Sequence, residues 1–471
     1  MTSACTHRLS PAVAMLAGAA LVCTASAQTP AEPGAHPGVT LVNISRNPPN
    51  ATSAIPTVAV HPANENIVAV AWRRYGLPID TNALKGVRVA DCHIALSADG
   101  GRTFRDTNLM PLLRTEAVNG EPSMWYCNLP WASIAADGTV HAGGSMFTAG
   151  GVVQTEPKQG RAAAVVSTDG GTRFSKAVWA VSLKKLGPGV RGLDGGMKPE
   201  DTPWDGSKGF ADPATGTLYV ITGGGVAAST DRGRTFGNYY YLAAPGFSGN
   251  ARDASASHGI IGGAVNATAA PDGARCPCMV FISSRDGGAT FTGRTVLQAE
   301  QFNATGRTHY PEIAADTSRE GRFAVVTFTP DHKAVQVSYT EDTGASWKTV
   351  KVNDVPRGVE AVSAADQPGI GFTADGQILV AWRGQRNIGL YNIYAALLSN
   401  GSFGPTIKLN PEPSIYPALT YAGNYNPTSG GGDFFTTITG NRSTAFVAFP
   451  YAPQGVVQDT WLARIPLAAM R

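Results

Sequence analysis

The 471-residue sequence predicts an all-β protein, a β-propeller built from one ring of repeated blades. Three observations predict this fold class. A short turn sequence occurs five times, and a pattern of paired apolar strands occurs seven times. The composition, with 55 Gly, 32 Pro and no sustained helical periodicity, is typical of short strands joined by turns. Repeats of this kind indicate one supersecondary unit copied around an axis.

The repeated turn first occurs as S-A-D-G-G-R-T-F. In each copy an Asp lies two residues after a hydroxyl residue, Gly follows, and an aromatic residue ends the unit. We expect the Asp carboxylate to accept hydrogen bonds from turn amides while Gly adopts positive φ, which predicts a β-hairpin turn. The copies lie at 97–104, 167–174, 229–236, 284–291 and 340–347, with a degraded copy lacking the Asp at 399–403.

These turns resemble the Asp-box, or bacterial neuraminidase repeat, of sialidase-like β-propellers. The resemblance covers most of the chain after the first few dozen residues. It implies that the turns connect the third and fourth strands of each blade on one face of the ring. It also implies that a ligand site lies on the opposite face and that the protein acts on carbohydrate, most directly as a glycoside hydrolase.

The number of strand units favours seven blades, with the six-bladed ring of sialidases as the alternative. The units are 55–72, 129–147, 202–222, 258–270, 310–328, 367–382 and 432–449. The last unit ends at 461–467 without an outer strand, and 39–45 is a strand without a hairpin partner. Pairing these two segments would close the ring and remove exposed sheet edges. We therefore predict a propeller closed by an N-terminal strand.

The N-terminus predicts secretion. Residues 1–27 combine one basic residue, an apolar run and Ala25-Ser26-Ala27 before Gln28, as in a cleaved signal peptide. The apolar run is too short for a membrane span. The Pro/Gly-rich segment 28–38 is predicted to be disordered, and 39–471 to be a single propeller domain. We expect a secreted or periplasmic protein without a membrane span.

The charge and the motifs limit the partners. The net charge of +3 and the charged fraction of 15% argue against nucleic acid as a partner. The sequence Cys276-Pro277-Cys278 has no nearby His or second Cys pair, so it is a poor zinc motif. We predict no metal and no cofactor, a glycan or polysaccharide ligand, and a monomer.

Four of the six Cys follow the predicted signal peptide, and in an oxidising compartment we expect them to form disulfides. Cys92 lies in the first unit and Cys127 just before the second, whereas Cys276 and Cys278 both lie in the fourth. Pairing across the ring would exceed disulfide reach. This favours Cys92 with Cys127, and leaves Cys276 with Cys278, although a bridge between residues two apart is strained.

The face opposite the repeated turns consists of residues just before each first strand and just after each second strand. Its residues combine carboxylates, arginines and aromatic side chains, which is the mixture that a sugar site uses. The alternative is that these loops are polar only because they are exposed. The predicted catalytic residues are Asp80, Tyr310, Glu312 and Asp366. The predicted substrate-binding residues are Arg73, Arg74, Asp201, Trp204, Arg307, Arg383 and Arg386.

The resemblance also has a clear departure. Sialidases carry an R-I-P motif whose Arg binds the sialic acid carboxylate, and the matching stretch here is Ala54-Ile55-Pro56. Because Ala has no guanidinium, the departure argues against sialic acid as the substrate. Asp80 lies at about the place of the sialidase acid, although no local motif marks it. No motif of the sialidase Tyr and its Glu partner is present, and Tyr310 with Glu312 is chosen for this pair by position alone. The open alternatives are a polysaccharide lyase and a non-catalytic glycan- or protein-binding propeller.

The missing Arg leads to a first prediction. We expect aryl sialosides to be hydrolysed at least about 100-fold more slowly than by an enzyme with the R-I-P arginine, because a lost bidentate contact to a carboxylate costs several kcal/mol. Release of a fluorescent aglycone from an aryl sialoside measures this rate. Efficient turnover would mean that another Arg, such as Arg73 or Arg74, binds the carboxylate.

Overall fold

A computed structural model describes residues 35–49, 51–76, 90–114, 124–148, 160–181, 207–222, 224–242, 244, 246, 253–302, 311–331, 334–352, 366–387, 390–415, 434–453 and 458–471. All of these lie in one compact unit, Gly34–Arg471. The predicted signal peptide lies outside the described residues. The end of the segment predicted to be disordered is described, and the His36 amide donates to the Lys408 carbonyl at 3.1 Å.

The described strands form seven small antiparallel sheets in sequence order, each of which is one blade, and one separate two-stranded parallel pair. The chain starts with β1 (Thr40–Asn43), which belongs to the last blade. Blade 1 consists of β2 (Ala51–Val60), β3 (Val68–Gly76), β4 (Ala90–Ser97) and β5 (Arg105–Asn108), followed by helix α1 (Met110–Leu113). Blade 2 consists of β6 (Met124–Ile134), β7 (Val140–Thr148), β8 (Gly160–Ser167) and β9 (Val178–Val181). Blade 3 consists of β10 (Ser207–Ala211), β11 (Leu218–Thr222), β12 (Gly225–Ser229) and β13 (Tyr239–Tyr241).

The remaining blades continue the same order. Blade 4 consists of β14 (Asp253–Ser257), β15 (Ile260–Ala267), β16 (Cys278–Ser284) and β17 (Thr292–Leu297). Blade 5 consists of β18 (Glu312–Ala315), β19 (Phe323–Phe328), β20 (Val335–Thr340) and β21 (Lys348–Lys351). Blade 6 follows β22 (Asp366–Gln367) and consists of β23 (Gly369–Phe372), β24 (Ile378–Asn387), β25 (Leu390–Ser399), β26 (Ser402–Phe403), β27 (Ile407–Lys408) and β28 (Ser414–Ile415). Blade 7 follows β29 (Phe434–Phe435) and consists of β30 (Thr437–Gly440), β31 (Thr444–Tyr451), β32 (Asp459–Pro466) and β1, with a final 3-10 helix at Leu467–Met470.

The N-terminal strand closes the ring, as predicted. β1 pairs antiparallel with β32, with Thr40 opposite Arg464. The Asp459 carboxylate strengthens this closure by accepting bonds from Asn43 Nδ2 at 2.8 Å and Ser45 Oγ at 2.7 Å. The seven-bladed prediction is therefore confirmed, and the six-bladed alternative is wrong.

The blades pack face to face through apolar side chains and very small residues. Trp131 on β6 of blade 2 is 1% exposed and belongs to a cluster of buried side chains drawn from neighbouring blades. A Cβ on Gly209 of blade 3 would lie 2.2 Å from the Trp131 ring, so only Gly allows this approach. Adjacent blades are thus held at a fixed distance by bulky residues that fit against Gly.

Two disulfides are formed. Cys92 on β4 is bonded to Cys127 on β6, which confirms the predicted link between blades 1 and 2. Both residues are fully buried, and closing a loop across 35 residues is expected to contribute about 4 kcal/mol in the chain-entropy model. Cys276 is bonded to Cys278.

The five repeated turns share one hydrogen-bond pattern. In the third copy, the Asp231 carboxylate accepts bonds from Ser229 Oγ at 2.7 Å, the Thr235 amide at 2.9 Å and the Thr235 hydroxyl at 2.6 Å. The Gly233 amide donates to Ser229 Oγ, and Gly233 has a φ of 80°. These donors lower the pKa of Asp231 to about 2. Its carboxylate is therefore ionised at neutral pH.

The turns set the orientation of the ring. Each connects the third and fourth strands of a blade, and successive strands are antiparallel. The turns therefore lie at the end of the ring where inner strands finish, and the inner strands begin at the opposite end. We call this opposite end the mouth face.

One unit boundary differs from the prediction. The fourth unit was predicted to open at His258, but its inner strand is β14, which ends at Ser257. His258 and Gly259 form the tight turn to β15, with φ values of 55° and 77°. The inner strand reads Asp-Ala-Ser-Ala-Ser, which has no large apolar residue, so its sequence lacks the signal of a buried strand.

The turn pattern leads to a second prediction. Replacing Asp231 by Ala removes the acceptor of three turn hydrogen bonds, and should lower the free energy of unfolding by about 1–2 kcal/mol. Thermal unfolding measures the loss. The matched control is Arg234→Ala in the same turn, an exposed position where we expect a change within about 0.5 kcal/mol. Equal destabilisation by both substitutions would contradict the role of the carboxylate.

Candidate functional site

Three charged or ionisable side chains meet at the mouth face, each from the beginning of a different inner strand. Lys208 is the second residue of β10, Asp253 the first of β14, and Glu312 the first of β18. Lys208 Nζ lies 2.7 Å from Asp253 Oδ1 and 3.6 Å from Glu312 Oε2. Blades 3, 4 and 5 therefore share one polar cluster.

The cluster is anchored at Asp253 and open to solvent at Lys208. Asp253 Oδ2 accepts the Ile313 amide at 2.7 Å, so both oxygens of this carboxylate are occupied. The Asp253 side chain is 8% exposed, that of Glu312 21% and that of Lys208 38%. Asp253 is therefore held rigidly, whereas the ammonium and the Glu312 carboxyl can be reached from the mouth.

The surroundings of the cluster raise the pKa values of Glu312 and Lys208. Burial raises the pKa of Glu312 to about 8, and the negative charge of Asp253 adds to the rise, while Lys208 opposes it. Burial acts to lower the pKa of Lys208, but the carboxyl groups of Asp253 and Glu312 raise it above its ordinary value. At neutral pH the raised pKa values thus favour the protonated carboxyl of Glu312 and the ammonium of Lys208. A protonated carboxyl at a solvent-accessible mouth can act as a general acid.

Of the predicted catalytic residues, the structure brings Glu312 into this cluster. Asp366 lies on β22, which pairs in parallel with β29, and only its backbone is described. The catalytic candidates Asp80 and Tyr310 lie outside the described residues, as do Asp201, Trp204 and Arg307.

The remaining predicted arginines lie on second strands of blades 1 and 6. Arg73 on β3 is 1% exposed and lies opposite Ala54. Arg74 is half-buried, with Nη2 3.9 Å from Asp91 Oδ2. Arg383 on β24 is 5% exposed and its guanidinium lies 4.9 Å from the centre of the Tyr391 ring. Arg386 is on the same strand, with only its backbone described. Their part in substrate binding stays a prediction.

The stretch that matches the R-I-P motif forms a β-bulge. The register of β2 shifts between Ala54 and Thr57, and Ile55 has a φ of 54°, which is unusual for a β-branched residue. The same shift occurs in β6 of blade 2, where Leu129 has a φ of 47° and Asn128 takes the place of Ala54. The bulge is thus a shared feature of two blades, and neither copy has an Arg at that position.

Lys208 and Asp253 were not among the predicted site residues. Lys208 follows the selected Trp204 by four residues, and Asp253 lay before the predicted start of its unit. The signal that could have found both is their shared position, because each is a charged residue in the first two places of an inner strand. Aligning the inner strands of units 3, 4 and 5 by their ends at Ala211, Ser257 and Ala315 brings Lys208 and Glu312 to the same position, and Asp253 one residue earlier.

Two kinds of site are absent from the described part of the chain. No helix there is both long and apolar enough to cross a membrane. The same residues contain no group of three or more His, Cys, Asp or Glu arranged to hold a metal ion.

Comparison with known proteins finds similar folds but no family. No protein-family profile and no curated protein sequence matches the chain. Similar solved structures include a protein of unknown function from Dyadobacter fermentans, with 15% identity and a TM-score of 0.46 over 92% of this chain and 100% of that one. An α-L-arabinofuranosidase from Fusarium graminearum has 13% identity and a TM-score of 0.42 over 92% and 98%. A sialidase from Trypanosoma rangeli has 10% identity and a TM-score of 0.42, and the match covers 91% of this chain and 58% of that one. The seven-bladed fold itself rests on the strand pairing described above.

The raised pKa of Glu312 leads to a third prediction. Between its ordinary value of 4.5 and about 8, the unfolded chain releases this proton while the folded protein keeps it, so stability falls as the pH rises. Glu312→Gln removes this dependence. The melting temperature of the variant minus that of the parent should therefore increase by about 2 °C or more from pH 4.5 to pH 8. A pKa difference of one between the folded and unfolded states corresponds to about 1.4 kcal/mol of stability.

The control for this experiment is Glu300→Gln, because Glu300 is an exposed carboxylate paired with Arg275. Its melting temperature relative to the parent should change less than that of Glu312→Gln over the same pH range. Parallel curves for the parent and Glu312→Gln would contradict the raised pKa.

Proposed function

We propose that this protein is a secreted, sialidase-like glycoside hydrolase that acts on an anionic or decorated glycan at the mouth face. The observation that carries the proposal is the contact of Glu312 and Asp253 with the same Lys208 ammonium at the open end of the inner strands, where burial raises the pKa of Glu312 to about 8. Glycoside hydrolysis requires a carboxylic acid that keeps its proton at the working pH and donates it to the leaving oxygen.

Each member of the cluster has a distinct role in this proposal. Glu312 is the general acid. Asp253 has both oxygens occupied and is nearly buried, so it maintains the proton on Glu312 and does not attack the sugar. Lys208 neutralises Asp253 and presents the remaining ammonium hydrogens to the ligand. Tyr310, two residues before Glu312, is the proposed nucleophile, because sialidases use a Tyr in this role.

The other site residues remain part of the proposal. Asp80 and Asp366 are proposed as further carboxylates of the reaction. Trp204 is proposed to stack on a sugar ring, and the polar residues to bind its substituents. The proposed substrate-binding residues are Arg73, Arg74, Asp201, Trp204, Arg307, Arg383 and Arg386.

The two disulfides support a proposal about the cellular compartment in which the protein works. Two bonds among the described residues, Cys92–Cys127 and Cys276–Cys278, are typical of an oxidising environment. We therefore propose that the protein works outside the cytoplasm, in the medium or the periplasm. The monomeric state is proposed on the sequence prediction alone.

A second candidate function is a non-catalytic binding propeller. The Lys208–Asp253 ion pair and the bond from the Ile313 amide to Asp253 connect three inner strands. Such links can serve the architecture alone, with the mouth binding a glycan or a protein without cleaving it. A lyase on a uronic-acid polysaccharide is a third alternative, with Tyr310 as the base.

A fourth prediction tests these candidates with a panel of neutral and anionic polysaccharides. We expect the parent to release new reducing ends from at least one anionic polymer, and Glu312→Gln to lower kcat by about 100-fold or more while binding changes little. The parent's kcat should fall as the pH rises above about 8, where Glu312 loses its proton.

The matched control is Asp231→Ala, which removes a carboxylate at the opposite end of the ring and should leave kcat unchanged. Full activity of Glu312→Gln would eliminate Glu312 as the acid. Binding without cleavage of any polymer by the parent would favour the binding propeller, and a product with a new double bond would favour the lyase.

A further inference from the structure

The bond between Cys276 and Cys278 has a different place in the fold from the bond between Cys92 and Cys127. It lies at the end of the turn that connects β15 to β16, the second and third strands of blade 4. Turns between second and third strands lie on the mouth face, at the end where inner strands begin. The bridge therefore belongs to the rim of the mouth, outside the Lys208 cluster.

This bridge adds little constraint to the unfolded chain. Its residues are two apart in sequence, whereas Cys92 and Cys127 are 35 apart and join two blades. The stabilisation that a disulfide gives by restricting the unfolded chain grows with the length of the loop it closes. The blade is also held there without it, because Ala267 pairs with Cys278 and the Asp272 carboxylate accepts the Thr295 amide at 2.9 Å.

The two sulfur-bearing residues differ in access. Cys276 is partly exposed, and its neighbours Arg275 and Pro277 are exposed. Cys278 is fully buried, in a cluster with Ala267 and Val280. Disulfides that are exposed tend to exchange with external thiols, whereas buried ones that stabilise the fold resist reduction. Access thus favours attack at Cys276.

We propose that the Cys276–Cys278 pair is a thiol–disulfide exchange site whose co-substrate is an external thiol. The thiolate of that molecule attacks Cys276 Sγ, the bond between the cysteines breaks, and Cys278 leaves as a thiolate that takes up a proton. A second external thiol then attacks the mixed disulfide and releases Cys276 as a thiol. Two thiols are oxidised to one disulfide, and the two electrons reduce the protein pair.

Graded reduction tests this assignment on the folded, full-length protein. The protein is equilibrated with increasing dithiothreitol, free thiols are alkylated, and peptides are identified by mass spectrometry. We expect half-reduction of Cys276–Cys278 at a dithiothreitol concentration at least about tenfold below that for Cys92–Cys127, with an unchanged far-UV circular dichroism spectrum. Simultaneous reduction of both pairs, or unfolding when the first pair opens, would overturn the proposal.

Two single substitutions test which sulfur is attacked. Cys278→Ser leaves Cys276 as a free thiol, and Cys276→Ser leaves Cys278. We expect the Cys276 thiol to react with an aromatic disulfide reagent at least about tenfold faster than the Cys278 thiol. Equal rates would overturn the assignment of Cys276. The double substitution Cys276→Ser/Cys278→Ser should keep the parent melting temperature within a few degrees. A large loss would mean that the bridge is structural.

Discussion

The pairing of β1 with β32 is the contact on which the rest of the propeller depends. This pairing supplies the outer strand of blade 7, and two hydrogen bonds between Ser53 and Gln458 join the ends of the chain beside it. Asp459 stabilises the closure, because its carboxylate accepts hydrogen bonds from Asn43 and Ser45 of the N-terminal segment. A closed ring in turn fixes the distance between neighbouring inner strands. The Lys208 cluster requires that fixed distance, since its three members come from three blades.

The repeated turns show in which direction the strands of each blade run. Each turn carboxylate accepts bonds from its own turn, as Asp231 does from Ser229 and Thr235. Neighbouring blades add contacts to the turn backbone, as Arg464 Nε does by donating to the Gly100 carbonyl at 2.7 Å. Since every blade then runs in the same direction, all inner strands begin at one end. Lys208, Asp253 and Glu312, each in the first two places of an inner strand, consequently lie at the mouth.

The same logic explains what the sequence could predict. The turns and the number of blades follow from short patterns, because each depends on residues close together in the chain. The strand that closes the ring was predicted by counting, since β1 had no hairpin partner and the last blade lacked an outer strand. Glu312 was predicted since it follows a Pro at the start of a strand unit. Lys208 and Asp253 were missed because their contacts span 45 and 60 residues and are set by the ring. Asp253 was also missed because the rest of its strand, β14, consists of Ala and Ser. Such a strand packs well only where larger side chains of neighbouring blades fill the space beside it.

The composition of the cluster favours a chemical role over a purely structural one. An ion pair between Lys208 and Asp253, with the Ile313 amide, is sufficient to connect blades 3, 4 and 5. Adding Glu312 lowers the stability of the fold. A second carboxyl beside Asp253 must either carry a charge in a partly buried place or keep its proton at pH values well above its ordinary pKa. A residue that only filled space there would be better as Gln, which needs no proton. Carboxyls held in such unfavourable surroundings at an open cleft are typical of sites that transfer protons.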